Sequence, residues 1–169
     1  MPRAESVPAP ALYEAILAGG ITDIVAVPDT HQRTLVDLLL TSDRIRFVQC
    51  TTEDEAMALA AGLIVGGRRP MLQIQHAGLY ACVNNLRGIG LDGELPLVLL
   101  IGLLGRDPDR SPRDSFDSLV RYTEPLLDAL EIPHWLIDGP ADVGVLAEAL
   151  AAAAARQRPT AVLVGMPTD

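Results

Sequence analysis

The chain has 169 residues, of which 49% are hydrophobic and only 4% aromatic, so its core must be built from aliphatic side chains. This length fits one domain with a sizeable core. A net charge of −9 argues against nucleic-acid binding and against attraction to an anionic membrane surface.

The two cysteines, Cys50 and Cys82, are far apart in sequence, and neither belongs to a metal-like or redox-like pair. Two free thiols are typical of a cytosolic protein. The sequence has no charged-then-apolar signal at its N-terminus and no apolar run of transmembrane length. We therefore expect a cytoplasmic protein that does not bind membranes.

Segments of strand length and helix length alternate along the chain. Residues 1–10 contain three prolines and are expected to form a flexible arm, followed by a single domain over 11–169. Strands are predicted at 21–27, 44–50, 69–75, 95–102, 133–137 and 160–165. Helices are predicted at 11–19, 31–40, 53–66, 78–90, 119–130 and 141–156. This alternation predicts an α/β fold with a doubly wound parallel sheet of about six strands, covered by helices on both faces.

The start of the third helix is the most informative stretch. Thr52 and Glu55 have the spacing of a capping box, in which the hydroxyl accepts from the Glu55 N–H and the carboxylate accepts from the Thr52 N–H. Glu53 then falls in the first helical turn, directly after a strand. It is either an acid that complements the helix dipole or a functional carboxyl group at the strand end, where open α/β sheets bind ligands.

Several common functional motifs are missing from the sequence. There is no Gly-x-Gly-x-x-Gly after the first strand, no Walker A loop and no Gly-x-Ser-x-Gly elbow. The three histidines lack paired metal-ligand spacing, so we expect no metal ligands from this chain. Polar groups instead follow the first three strands, and we expect these strand ends to meet at one ligand-binding edge of the sheet.

The motifs at these strand ends are Val27-Pro28-Asp29-Thr30, Glu53-x-x-Ala56-x-x-Leu59-Ala60-Ala61-Gly62 and Gln75-x-x-Gly78-Leu79. They resemble the pyrimidine-binding domain of thiamine-diphosphate-dependent decarboxylases, and segments 97–102 and 125–133 are similar in the same order. The likeness is greatest to the phosphonopyruvate and sulfopyruvate decarboxylase branch, where this domain can be a separate subunit. It covers roughly residues 11–165 and implies the thiamine-diphosphate-binding fold.

The resemblance implies thiamine diphosphate as the cofactor and gives Glu53 a role. In the family, the matching glutamate hydrogen-bonds the aminopyrimidine nitrogen and thereby promotes loss of the thiazolium proton. The resemblance also implies that Pro28, Thr52, Gln75 and His76 lie beside the cofactor.

The resemblance further implies a partner. Family members hold Mg²⁺ and the diphosphate with a Gly-Asp-Gly motif and a downstream asparagine, and this chain has no Gly-Asp-Gly. At Leu91-Asp92-Gly93 a leucine replaces the first glycine. A separate diphosphate-binding subunit is therefore implied, in an α2β2 or larger assembly with the active site at the interface. The substrate would be a small 2-oxoacid.

Other site residues are less sharply defined. Asp29, Thr30 and His31 are candidate substrate contacts, although a histidine at a helix start can also lie in solvent. His76 stands where the phosphonopyruvate branch has an asparagine, which leaves the substrate open. The alternative for His76 is packing at a subunit interface.

The loop 103–117 is rich in Arg, Asp, Pro and Ser and is expected to be mobile. Its Arg106, Arg110 and Arg113 could bind a phosphonate or sulfonate group, or could simply be solvated. A thiamine-diphosphate-dependent carboligase subunit and a non-catalytic binding or regulatory module with the same fold remain alternatives to a decarboxylase. An unrelated flavodoxin-like nucleotide binder is disfavoured, because phosphate-binding loops are missing.

Overall fold

A computed structural model describes residues 4–169 and contains a six-stranded parallel sheet. Its strands are β1 (Asp23–Ala26), β2 (Arg46–Gln49), β3 (Pro70–Gln75), β4 (Val98–Gly102), β5 (His134–Ile137) and β6 (Thr160–Val164). Their order across the sheet is β2-β1-β3-β4-β6-β5, and every neighbouring pair is parallel. The predicted doubly wound α/β fold is confirmed.

The helices are α1 (Ala9–Ala18), α2 (Arg33–Thr41), α3 (Glu53–Val65), α4 (His76–Ala81), α5 (Val83–Asn85), α6 (Ser118–Ala129) and α7 (Val145–Arg156). A 3-10 turn, Thr30–Gln32, precedes α2. The stretch predicted as one helix over 78–90 is helical but not a single regular α-helix, because it is interrupted at Cys82 and consists of α4, α5 and a π-helical segment, Leu86–Leu91. That segment contains two glycines, which have a low helix propensity.

Two aliphatic clusters lie on opposite faces of the sheet, since successive strand residues point to opposite sides. One cluster packs strand residues such as Ile24 and Leu100 under α1, α2 and α7. The other packs Val25, Leu72 and Leu99 under α3, α4, α6 and the π-helical segment. The helices therefore cover both faces, as a doubly wound sheet requires.

The chain leaves β1 in one direction to form β2 and returns to the other side of β1 to form β3. The carboxyl ends of β1 and β3 consequently flank the point where the strand order reverses. Open α/β sheets bind their ligands at such a point. The segments after β1 and β3 are the ones that the sequence singled out.

Residues 4–10, which belong to the predicted arm, are hydrogen-bonded to the rest of the fold. Val7 is fully buried, and its N–H donates to the Pro167 carbonyl over 3.0 Å. The Glu5 N–H donates to the Asp138 carbonyl over 2.7 Å. These bonds hold the segment against the rest of the fold, whereas residues 1–3 of the predicted arm lie outside the described residues. The domain boundary at residue 11 stays a prediction.

Both cysteines are free and buried. Burial raises the pKa of the Cys82 thiol to about 12 and also raises the pKa of Cys50. Neither thiol therefore has the thiolate character that a reactive cysteine needs. In the part of the chain that is described, no helix is both long enough and apolar enough to cross a membrane.

Candidate active site

Asp29 connects the ends of β1 and β3. Its side chain is 3% exposed, and its Oδ1 accepts from Gln75 Nε2 over 2.8 Å and from the His31 N–H over 3.0 Å. Its Oδ2 accepts from Gln32 Nε2 over 3.2 Å. A Cβ at Gly102, the last residue of β4, would stand 2.0 Å from that Oδ2, so only glycine leaves room for the carboxylate. Three strand ends therefore meet at Asp29.

The buried amide of Gln32 extends this network, and the motifs did not single it out. Its Nε2 also donates to the Ile74 carbonyl over 3.2 Å, and its Oε1 accepts from Gln73 Nε2 over 3.4 Å. Both glutamines are fully buried. The sequence feature that could have indicated this network is Gln73, because a polar residue in a buried strand needs a hydrogen-bond partner.

Glu53 begins α3 after β2, and its side chain lies against the α-carbon of Gly78 in α4. A Cβ built on Gly78 would stand 2.3 Å from Glu53 Oε1 and 2.4 Å from its Cδ. Glu53 is half-buried. Within residues 4–169, no hydrogen-bond donor is found for its carboxylate. The structure thus brings two of the three sequence motifs into contact and leaves the oxygens of Glu53 available.

The cap of α3 differs in one half from the prediction. Thr52 Oγ1 accepts from the Glu55 N–H over 3.3 Å, as a capping box requires. The Glu55 carboxylate, however, accepts chiefly from the N–H and the hydroxyl of Thr51, both over 2.9 Å, with only a weaker interaction from the Thr52 backbone. The backbone and side-chain bonds from Thr51 hold the pKa of Glu55 below its usual range. Glu55 therefore caps the helix, while Glu53 has no part in the cap.

His31 is buried, at 3% exposure, so the solvent-exposed alternative is wrong. Its Nε2 lies 3.0 Å from the Val164 carbonyl at the end of β6. Because a carbonyl can only accept, Nε2 carries the hydrogen, and Nδ1 of the neutral ring is an acceptor. Burial lowers the pKa of His31, although the charge of Asp29 opposes this effect.

His76 follows β3 directly and is 2% exposed. Both of its ring nitrogens lack a hydrogen-bond partner among the described residues. Burial lowers its pKa, and the charges of Asp117 and Asp29 act in the opposite direction. Pro28 and Thr30, by contrast, are exposed at the end of β1, and Thr52 is exposed at the start of α3.

The three loop arginines are paired with carboxylates instead of being available to a ligand. The Arg106 guanidinium, 4% exposed, holds Asp138 through two nitrogens, and one of these bonds is 3.0 Å long. Arg110 lies 3.3 Å from Asp107 and stacks over the ring of Phe116. Arg113 pairs with Glu124 and Asp128, at 3.3 and 2.7 Å. The Arg106 pair ties the loop 103–117 to the end of β5, and the Arg113 pairs tie it to α6.

No group of three or more His, Cys, Asp or Glu residues that could hold a metal ion is found within residues 4–169. His134 lies far along the chain from the site residues, near Glu124 at 3.7 Å and Asp128 at 3.9 Å. The nearby Glu124 carboxylate raises the pKa of His134. The candidate site of this chain therefore consists of carboxylate, amide and imidazole groups at the strand ends.

The fold and this polar edge define an α/β protein with a ligand site where the strand order reverses. No family model matches the chain. It is 26% identical over 125 residues to the sulfopyruvate decarboxylase subunit alpha of Methanococcus maripaludis, which covers 74% of each chain. It is 27% identical over 125 residues to the subunit of the same name from Methanocaldococcus jannaschii, covering 74% of this chain and 73% of the relative.

A phosphonopyruvate decarboxylase of Streptomyces viridochromogenes is 28% identical over 123 residues, which make up 73% of this chain but 31% of that protein. The predicted resemblance is confirmed: the chain is similar to the phosphonopyruvate and sulfopyruvate decarboxylase branch. The names of these relatives point to decarboxylases.

Proposed function

We propose that the chain is the pyrimidine-binding subunit of a split thiamine-diphosphate-dependent 2-oxoacid decarboxylase. The observation that carries the proposal is Glu53, a half-buried carboxylate without a donor among the described residues, seated against Gly78. It occupies this position in a chain that is similar to named decarboxylases. The substrate class is a 2-oxoacid with a second acid group, of the sulfopyruvate or phosphonopyruvate type.

The residues at the strand ends fit such a cofactor. A carboxyl group that bonds a ring nitrogen needs an oxygen that the protein does not occupy, and Glu53 offers one. Pro28, Thr52, Gln75 and His76 surround the same strand ends and would line the pyrimidine. When bound, thiamine diphosphate would supply the electron sink that takes up the electron pair left behind as the 2-oxoacid loses CO₂. Glu53 holds a proton at the aminopyrimidine nitrogen and thereby activates the cofactor.

The other site residues take supporting and substrate-facing positions in this proposal. Both oxygens of Asp29 already accept hydrogen bonds, so Asp29 acts by holding Gln75 and the backbone of His31 in place. Thr30, which is exposed, and His31 are the proposed substrate contacts. The buried Gln32 amide donates to Asp29 and in turn accepts from Gln73, so the two glutamines together fix the position of the Asp29 carboxylate.

Mg²⁺ and the diphosphate would be held by a separate subunit, with the active site shared between the two chains. This part of the proposal is supported by the name "subunit alpha" of three relatives and by the missing Gly-Asp-Gly motif. An α2β2 or larger assembly and a cytoplasmic location stay predictions.

The test compares two charge-removing substitutions in the same helical turn. Glu53→Gln in the reconstituted complex is expected to lower thiamine-dependent CO₂ release from sulfopyruvate by about 10²–10⁴-fold, the usual contribution of a positioned proton-transfer group. Asp54→Asn removes the same charge from the exposed neighbouring position and is expected to change turnover by less than about threefold. Equal effects of the two substitutions would show that Glu53 serves only the helix dipole.

A non-catalytic binding module is the second candidate. The departure at His76 and Ala77 from the asparagine and serine of the phosphonopyruvate branch favours it. A complex that binds thiamine diphosphate but neither releases CO₂ from a 2-oxoacid nor joins two carbonyl substrates would support this module. Joining of carbonyl substrates without net decarboxylation of sulfopyruvate would instead identify a carboligase.

A further inference from the structure

Three imidazole nitrogens beneath the polar edge of the sheet have no partner among the described residues. They are Nδ1 of His31 and both ring nitrogens of His76. The two side chains are 3% and 2% exposed. Buried polar atoms in folded proteins nearly always have a hydrogen-bond partner, so three orphaned nitrogens in one place point to a ligand that supplies the missing bonds.

The tautomer of His31 limits what this ligand can be. Its Nε2–H is committed to the Val164 carbonyl, so Nδ1 of the neutral ring offers only a lone pair. A neutral His76 offers one N–H and one lone pair. The neutral pair therefore presents one donor and two acceptors, whereas an ionised acid group has only acceptors. An anion can accept from the single N–H of the neutral pair but is repelled by its two lone pairs, so it binds better after a ring nitrogen has gained a proton.

The surrounding carboxylates favour such a protonation, whereas burial, the larger effect in the absence of an anion, lowers the pKa of both rings. The charges of Asp29 and Asp117 act on His76, the charge of Asp29 acts on His31, and the two imidazoles are close enough to oppose each other's protonation. One proton shared by the pair is therefore expected, rather than two. Arg106 offers no competing site, since its nearly buried guanidinium is held by Asp138, whereas Arg110 and Arg113 form ion pairs at the surface.

The pair also lies next to the proposed catalytic carboxylate. His76 stands two residues before Gly78, and the side chain of Glu53 lies against the α-carbon of Gly78. Asp29 lies two residues before His31 in the sequence. Its carboxylate accepts a hydrogen bond from Gln75, the residue before His76. His31, His76 and Glu53 therefore follow the carboxyl ends of β1, β3 and β2, which are neighbouring strands at one edge of the sheet.

We propose that His31 and His76 bind the second acid group of the substrate and that the pair takes up one proton when this anion binds. This inference rests on the proposed function and names the residues that select the substrate class. An unsubstituted 2-oxoacid such as pyruvate, which has no second acid group, would leave the ring nitrogens unsatisfied. The complex is therefore expected to favour sulfopyruvate over pyruvate.

The kinetic test uses sulfopyruvate, because its sulfonate stays ionised over the whole neutral range. With the wild-type complex, kcat/KM is expected to fall by up to about tenfold per pH unit through the neutral range, while kcat changes little, because one proton is coupled to binding. The fall is expected to begin below the ordinary histidine value of about 6.5, since burial lowers the pKa of both rings. His76→Asn is expected to flatten this slope, because an asparagine amide donates to an anion without taking up a proton. His134→Asn, in a histidine outside the site, is expected to leave the slope unchanged.

A second measurement does not depend on turnover or on a variant. The ring nitrogens of His31 and His76 are followed by ¹⁵N NMR in the wild-type complex while sulfoacetate is added, an anion with a sulfonate but no keto group. A shift of a ring nitrogen of the pair towards imidazolium values is the expected result. Unshifted resonances, together with an unchanged pH slope in His76→Asn, would overturn the inference and leave an active decarboxylase. A shift without any thiamine-dependent turnover would support the anion site and contradict the proposed function.

Discussion

Glu53 at the start of α3 contacts Gly78 in α4. The absence of a side chain at Gly78 is what permits the Glu53 carboxylate to lie there, since an added Cβ would stand 2.3 Å from its Oε1. Gly78 is therefore needed because the side chain of Glu53, which belongs to another motif, occupies the space that a Cβ would take. The two residues act as one unit at the site.

A substitution at Gly78 tests this unit without touching the carboxyl group. Gly78→Ala is expected to displace the flexible Glu53 side chain and to lower turnover of the complex by at least about tenfold, because small displacements of reacting groups are costly. The fold should be retained, since alanine favours a helix. Gly144→Ala, where nothing lies within 4 Å of the added Cβ, is the matched control. Full turnover in Gly78→Ala would separate Glu53 from the chemistry.

Sequence motifs identified Glu53 but could not reveal the surroundings of the two histidines. His31 contacts the Val164 carbonyl, 133 residues further along the chain, and this contact exists only because β6 lies beside β4. Local patterns carry no information about such a contact. The partners of the loop arginines were hidden for the same reason, since Arg106 meets Asp138 across 32 residues.

At the scale of elements, Asp23 ties the three neighbouring strands β2, β1 and β3 together at the end opposite the site. Its fully buried carboxylate accepts from Arg46 and from Arg68, both over 2.6 Å, and from the Thr22 hydroxyl. Burial alone would raise the pKa of Asp23, but the hydrogen bonds from Arg68, Thr22 and Arg46 outweigh it and lower the pKa. The charged form is therefore the stabilising one.

The consequence is a pH-dependent contribution to stability. Because the pKa of Asp23 is lower in the folded state, its contribution is fully present above the unfolded pKa of about 3.9 and disappears as the pH falls through the folded value. Asp23→Asn is expected to lower the free energy of unfolding by about 1–3 kcal/mol at pH 7, with a smaller difference in acid. Urea unfolding measures this, and the exposed Asp37→Asn serves as control. A difference that grows as the pH falls would contradict the ion-pair account.

The alternation of elements was readable from the sequence because each strand is a short apolar run with clear breaks. Strands β3, β4 and β6 lie within the predicted segments, and both faces of the sheet are buried as expected. The π-helical hydrogen bonding of Leu86–Leu91 was not readable, because helical periodicity does not distinguish it from an α-helix over so short a stretch. The bridge between Val7 and Thr168 joins distant segments, which local composition does not reveal.

On the scale of the whole molecule, this chain supplies a carboxylate, amides and imidazoles at the reversal point of the sheet but, within residues 4–169, no cluster able to hold a metal ion. The function proposed above is that of one subunit of a split enzyme. The partner would add the Mg²⁺ and diphosphate ligands, and only the assembled complex would turn over substrate.

The most direct test of the proposed role of Glu53 is the rate at which the complex exchanges the thiazolium proton of thiamine diphosphate with D₂O, followed by NMR after rapid quenching in acid. This measurement needs no knowledge of the true substrate. The wild-type complex is expected to exchange the proton far faster than free cofactor does, and Glu53→Gln is expected to lose most of that acceleration while Asp54→Asn keeps it. Wild-type exchange rates in Glu53→Gln would contradict the account.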